Sequence, residues 1–201
     1  MTPLWKRLDI AQRPSPFILD EDEVYYAREY IPGGGFGACE ANQFVLNLKK
    51  SPDRKGRPEW VYKEVAVRRF ADELRLLLRS NREYTFAAIP TSKCSSDPEY
   101  DSRLDDVLTH LSTLCPSVIV EAPIYRTRSS LAAHSGGSRT PAQIAAELTW
   151  RGFRRPTDVV IFVDDVLTTG AHFRACASMC KQAQPSLSVL GLFWARTVRT
   201  H

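Results

Sequence analysis

The sequence predicts an α/β fold: an open, mostly parallel sheet with helices on both faces, preceded by an N-terminal β-hairpin that forms a hood. Three observations predict it. From residue 84 onward, short apolar runs alternate with segments whose apolar residues recur at helical spacing. The run at 159–163 (VVIFV) is apolar throughout, as in a parallel strand covered on both faces. The length, 201 residues, suits one sizeable domain and is short for two. Residues 1–60 therefore read as the hood and 61–201 as the α/β core of a single domain.

Element by element, residues 24–31 (VYYAREYI) alternate and are rich in β-formers, and 44–48 do the same. The glycines Gly33, Gly34, Gly35 and Gly37 lie between them, which predicts a hairpin with a wide tip. Residues 51–58 are a polar turn with prolines. Residues 64–79 place Val67, Phe70, Leu74, Leu77 and Leu78 on one face of a helix. Arg68, Arg69, Arg75 and Arg79 fall on its polar face, which solvation explains without nucleic acid. Residues 84–89 form a strand ended by Pro90, and 101–114 a helix with Leu104, Val107, Leu108 and Leu111 inward. A second strand follows at 118–120, then a helix at 141–150 with Pro141 suited to its first position. The strand at 159–163, a helix at 170–182 and a strand at 187–194 complete the series. Sites in such sheets lie at the carboxyl ends of the strands, which singles out the loops after residues 89, 120 and 163.

Composition excludes several classes. With 43% hydrophobic and 25% charged residues the chain is neither disordered nor membrane-like. Residues 1–20 carry charges and prolines but no continuous apolar run, so neither a signal peptide nor a span is expected, and a cytoplasmic protein is. The net charge of +4 suits an anionic small molecule as well as nucleic acid. The five cysteines are odd in number and form no CxxC pair, against a disulfide framework or zinc ribbon. His172, Cys176 and Cys180 follow one another at one-turn intervals, which would allow a metal face. Phe173, Cys176, Cys180 and Ala183 also repeat at helical spacing, and a packed core face is the stronger reading.

Residues 159–171 (VVIFVDDVLTTGA) carry the chemistry. An apolar strand delivers Asp164 and Asp165 to its end, and a Thr-Thr-Gly turn leads into a helix. The first N–H groups of that helix are unpaired and lie at the positive end of its dipole, an anion site. Thr168 and Thr169 add hydroxyl donors, and Gly170 lets the backbone approach closely. The carboxylates cannot hold a phosphate; they suit sugar hydroxyls or a hydrated magnesium ion. A phosphate beside a diol describes a ribose 5-phosphate. A plain helix cap accounts poorly for two adjacent buried aspartates. A magnesium-binding acidic pair in a phospho-acceptor fold leaves the Thr-Thr-Gly turn unexplained.

Four apolar residues, two acids and T-T-G resemble the signature by which type I phosphoribosyltransferases hold 5-phosphoribosyl 1-diphosphate (PRPP). The resemblance implies that Asp164 and Asp165 bind the ribose hydroxyls, and that Val166, Leu167, Thr168, Thr169, Gly170, Ala171 and His172 wrap the 5-phosphate. It implies Mg2+, brought with PRPP near Asp164 and Asp165 rather than held by side chains alone. The chain departs from the family in having His172 where a threonine or serine is common. It also has Thr168 where 6-oxopurine enzymes carry an aspartate base, which argues against hypoxanthine or guanine as substrate. Thr91, Ser92 and Lys93 stand where the family binds pyrophosphate. Residues 125–141 (YRTRSSLAAHSGGSRTP) stand where a mobile loop closes, and Arg126, Arg128 and Arg139 would neutralise the leaving group. The R-T-x-x-Q stretch from Arg139 to Gln143 resembles competence-associated (ComF-type) members, without their zinc ribbon. Residues 84–195 carry the resemblance well and 1–80 only loosely. Two functions follow: transfer of a phosphoribosyl group between pyrophosphate and a base, or a non-catalytic PRPP or nucleotide sensor, or accessory protein in DNA uptake or defence. Tyr25, Tyr26, Phe36 and Trp194 are candidate stacking surfaces for the base. A homodimer would be usual for the family.

Overall fold

A computed structural model describes residues 5–9, 15–79, 81–130, 139–155 and 157–198. In chain order its elements are β1 (Lys6–Arg7), β2 (Glu23–Tyr30), α1 (Glu40–Leu48), α2 (Val61–Arg75), β3 (Tyr84–Ala88), α3 (Arg103–Leu114), β4 (Val118–Val120), β5 (Ile124–Arg126), α4 (Pro141–Ala145), β6 (Leu148–Trp150), β7 (Val159–Leu167), α5 (Ala171–Ala183) and β8 (Ser188–Thr197). Six strands form one sheet in the order β1-β2-β8-β7-β3-β4. Every pairing in it is parallel except β1 with β2. The expected α/β architecture with a mostly parallel sheet is therefore present. Among the described residues no helix is long and apolar enough to cross a membrane.

Strand alternation divides the core in two. Val160 and Phe162 of β7 join Phe173, Cys176 and Cys180 of α5 and Ile144 of α4 on one face. Ile161 and Val163 join Leu48 of α1, Phe70 and Leu74 of α2, and Leu104 to Leu111 of α3 on the other. Cys176 and Cys180 are fully buried, so they are packing residues, as their spacing suggested.

The structure corrects three expected elements. The N-terminal hood is not a β-hairpin: 44–48 belong to helix α1, and β2 pairs with β8 instead. Within 44–48 alone an apolar alternation is indistinguishable from a helix face. The buried set Ala41, Asn42, Val45 and Leu48 shows the 3.6-residue period. Asn42 organises the glycine turn, its carboxamide accepting from Ile31 N–H (3.0 Å) and donating to Ile31 and Gly35 carbonyls (2.9 and 3.1 Å). The expected helix at 141–150 ends at Ala145, and Leu148–Trp150 pairs antiparallel with β5. Residues 148–150, Leu-Thr-Trp, are better strand than helix formers. Finally, β7 runs past Val163 to Leu167, because β8 continues beside it as far as the Leu167–Arg196 pair.

Candidate functional site

The site is a consequence of unequal strand lengths. β7 pairs with β3 only through Val163, while on its other side it stays paired with β8 to Leu167. The stretch from Asp164 onward thus has one open flank, over the end of β3. There the chain turns through Pro90 and Thr91 into Lys93, and an open cleft of about 400 Å³ results. Asp164, Asp165, Val166, Thr168 and His172 line it from the β7 side, Thr91, Ser92 and Lys93 from the β3 side, Lys49 from the hood, and Asp101 and Arg103 from the start of α3 and the turn before it.

The structure therefore brings the predicted acidic pair, part of the Thr-Thr-Gly turn and the predicted 91–93 loop to one cavity. Gly170 has φ 79°, and a Cβ there would lie 2.5 Å from Ile18, so the turn needs glycine. Residues 15–18 brace this turn from behind: Ser15 Oγ donates to Thr168 C=O (2.7 Å), and Phe17 N–H to Thr169 C=O (3.1 Å). Ala171 opens α5, its N–H directed to Thr169 Oγ1 at 3.4 Å. Val166 and Leu167 belong to β7, and both are buried, Val166 beside Val45 and Ala195. Leu167 packs into the α5 core, while Val166 also lines the cleft. His172 is half-buried. Burial lowers its pKa, and the nearby Arg126 and Arg139 add to the effect, so the imidazole is neutral at pH 7.

The acidic pair is unsymmetrical. Asp165 Oδ2 accepts from Arg103 Nε and Nη2, both at 2.6 Å, and Oδ1 faces Lys49 Nζ at 2.9 Å. Arg103 also binds Asp101 through Nη1 (3.0 Å), and Asp101 accepts from Lys63 Nζ at 2.7 Å. Lys63 in turn donates to the Leu48 and Lys50 carbonyls (2.8 and 2.7 Å), neutralising the negative end of α1. Asp164 accepts only Asp165 N–H among the bonds described, at 2.8 Å, and forms no ion pair among the described residues. Burial, then the charge of Asp165, pushes its pKa up to about 7. Burial alone would raise Asp165 too, but Arg103 and Lys49 outweigh it and hold Asp165 below the ordinary carboxylate range.

Of the remaining predicted residues, Lys93 pairs with Glu99 (2.6 Å) and Asp97 (3.5 Å) at the cleft edge. Arg126 is not part of a loop. It lies in β5, is buried, donates from Nε to Thr91 C=O (2.9 Å) and pairs with Glu147. Arg139 pairs with the same carboxylate, and Arg128 is exposed. Residues 131–138 of the expected mobile loop lie outside the described residues. The R-T-x-x-Q stretch has a local use: Thr140 and Gln143 form a capping box at the start of α4. Trp194 is no stacking surface for a ligand. It is wholly buried between Phe44 and Phe70, ring centroids 5.7 and 4.8 Å away, with its indole N–H on Glu73. Tyr26 is buried as well, whereas Phe36 is exposed.

Arg103, Asp101 and Lys49 were not among the predicted site residues. An available signal was strand parity: Asp165 shares the face of Ile161 and Val163, and a buried carboxylate there requires a cation from the helices covering that face. No protein-family model matches the chain, and no curated protein matches it.

Proposed function

We propose that this chain binds Mg-PRPP in the cleft at the end of β7 and β3 and transfers its phosphoribosyl group to a nitrogen of a base. The carrying observation is the convergence of the acidic pair, Thr168 and His172 from one strand-turn-helix with Thr91, Ser92 and Lys93 from the neighbouring strand end. In this reading the 5-phosphate lies over Thr168, Thr169 and the first N–H groups of α5, a 13-residue helix whose dipole favours the anion. The acidic end of β7, through Asp164, takes the ribose diol, and the 91–93 loop takes the diphosphate, with Lys93 supplying charge. The residues fit Mg2+ carried by the diphosphate: Asp164, which forms no ion pair among the described residues, offers a carboxylate to the ion's water shell. Bound Mg2+ would add charge stabilisation to the departing diphosphate. The bond from the anomeric carbon to the diphosphate breaks, pyrophosphate leaves with the electron pair, and the base nitrogen forms the new bond. Fixed positive charge beside the diphosphate favours that step.

Calorimetry with Mg-PRPP tests the binding. The wild type is expected to bind, and the variant carrying both Asp164→Asn and Asp165→Asn to lose binding while remaining folded by circular dichroism. Undiminished binding in that variant would overturn the reading. Turnover is a separate question, since gripping a ligand does not entail reacting with it. Labelled PRPP offered with a panel of bases decides it. Base-dependent pyrophosphate release establishes a transferase, and its absence with binding intact favours a sensor.

A further inference from the structure

The two adjacent carboxylates point to opposite faces of β7, because successive strand side chains do. Asp165 shares the parity of Ile161 and Val163, which pack on α1, α2 and α3, and it meets Lys49 and Arg103 there. Asp164 shares the parity of Val160 and Phe162, which pack on α5. Both oxygens of Asp165 are already occupied by cations, and its side chain is only 4% exposed. Arg103 cannot readily withdraw, since its third nitrogen is fixed by Asp101, which Lys63 ties to the end of α1. Lys49, at 41% side-chain exposure, is the looser half of the clamp.

We infer that the pair divides its labour: Asp165 is a buried counter-ion clamped by Arg103 and Lys49, Asp164 alone receives the ligand's hydroxyls, and Arg103 serves only to neutralise Asp165 and hold it off the ligand. The assignment of hydroxyls to Asp164 rests on the PRPP reading above. The clamp itself does not.

Two measurements test it. In the ligand-free protein, urea unfolding of Arg103→Met, Asp165→Asn and the double variant forms a cycle. Each single change removes the principal partner of a buried charge, leaving Asp165 with Lys49 alone or Arg103 with Asp101 alone, and is expected to shift the midpoint down, while the double change, which removes both charges, recovers most of the loss. Asp164→Asn is expected to leave the midpoint unchanged or raise it. Additive losses, or a larger loss from Asp164→Asn than from Asp165→Asn, would overturn the clamp whether or not any ligand binds. With Mg-PRPP as the probe, Asp164→Asn is expected to weaken binding by about tenfold or more, the worth of a hydrogen bond to a charged group. The Arg103→Met/Asp165→Asn double variant should bind within about threefold of the wild type, since on this account neither side chain touches the ligand. A folded double variant that no longer binds would refute the division of labour. If the wild type itself fails to bind, the PRPP reading falls, and the unfolding cycle still decides the clamp.

Discussion

At the scale of the single residue, Asp164 carries an unusual electrostatic load. Its pKa is raised to about 7 from 3.8, first by burial and then by the charge of Asp165. Between those values the folded protein holds a proton that the unfolded chain has released, so stability falls as pH rises through that window. The depressed pKa of Asp165 acts elsewhere: its contribution is intact above about pH 4 and is lost as pH falls further. His172 opposes Asp164, because its folded pKa is lowered, mainly by burial, and stability tied to it rises as pH increases through that lowered value towards 6.5. Comparison with Asp164→Asn isolates the first effect. Relative to the wild type the variant should gain stability between pH 5 and pH 8, by on the order of 1–3 kcal/mol in urea-unfolding free energy. A difference independent of pH would mean that Asp164 titrates as an ordinary surface carboxylate.

At the scale of elements, an aromatic and ionic cluster ties the hood to α2 and β8, in addition to the backbone pairing of β2 with β8. Glu73 of α2 accepts from Arg28 of β2 at 2.8 Å, from Arg69 at 3.0 Å and from the Trp194 indole of β8. The Arg28 guanidinium lies 5.2 and 5.0 Å from the rings of Phe44 and Trp194. Removing the carboxylate strands a buried cation, and breaking one partner of such a cluster costs about 3–5 kcal/mol. Glu73→Ala is therefore expected to lower the unfolding free energy by that amount, with a red shift of Trp194 fluorescence as its packing loosens. A loss below about 1 kcal/mol would place Glu73 among ordinary surface ion pairs. This cluster also shows where sequence reading stopped. The strands from Tyr84 onward were legible because their apolar runs are short and bounded by turns. The hood was not, because its order depends on Asn42 folding the glycine turn and on charges 45 residues apart in the chain meeting at Glu73. In the site, the D-D-x-x-T-T-G string was legible by itself. Arg103, 62 residues upstream of its partner Asp165, carried no local mark.

At the scale of the whole molecule, β7 is the member shared by everything else. One face of it belongs to the α5 core, the other to the α1–α3 core, and its far end carries the acidic pair. A strand buried on both faces cannot lose its packing on one side and keep it on the other, because the same backbone hydrogen bonds to β3 and β8 support both. The described core is thus expected to unfold as one unit. Phe162, fully buried on the α5 face, makes the test. Phe162→Ala should lower the global free energy by about 3–5 kcal/mol, the usual cost of emptying a large aromatic site. Native-state hydrogen exchange then reports where the loss is felt. If the sheet is one cooperative unit, amides of Phe86 and Trp194, whose side chains pack on the opposite face, lose the same protection as those of Phe173 and Cys176. Protection lost around α5 alone, with the α1–α3 face unchanged, would make the two cores separate units. The acidic pair would then sit on a boundary between them.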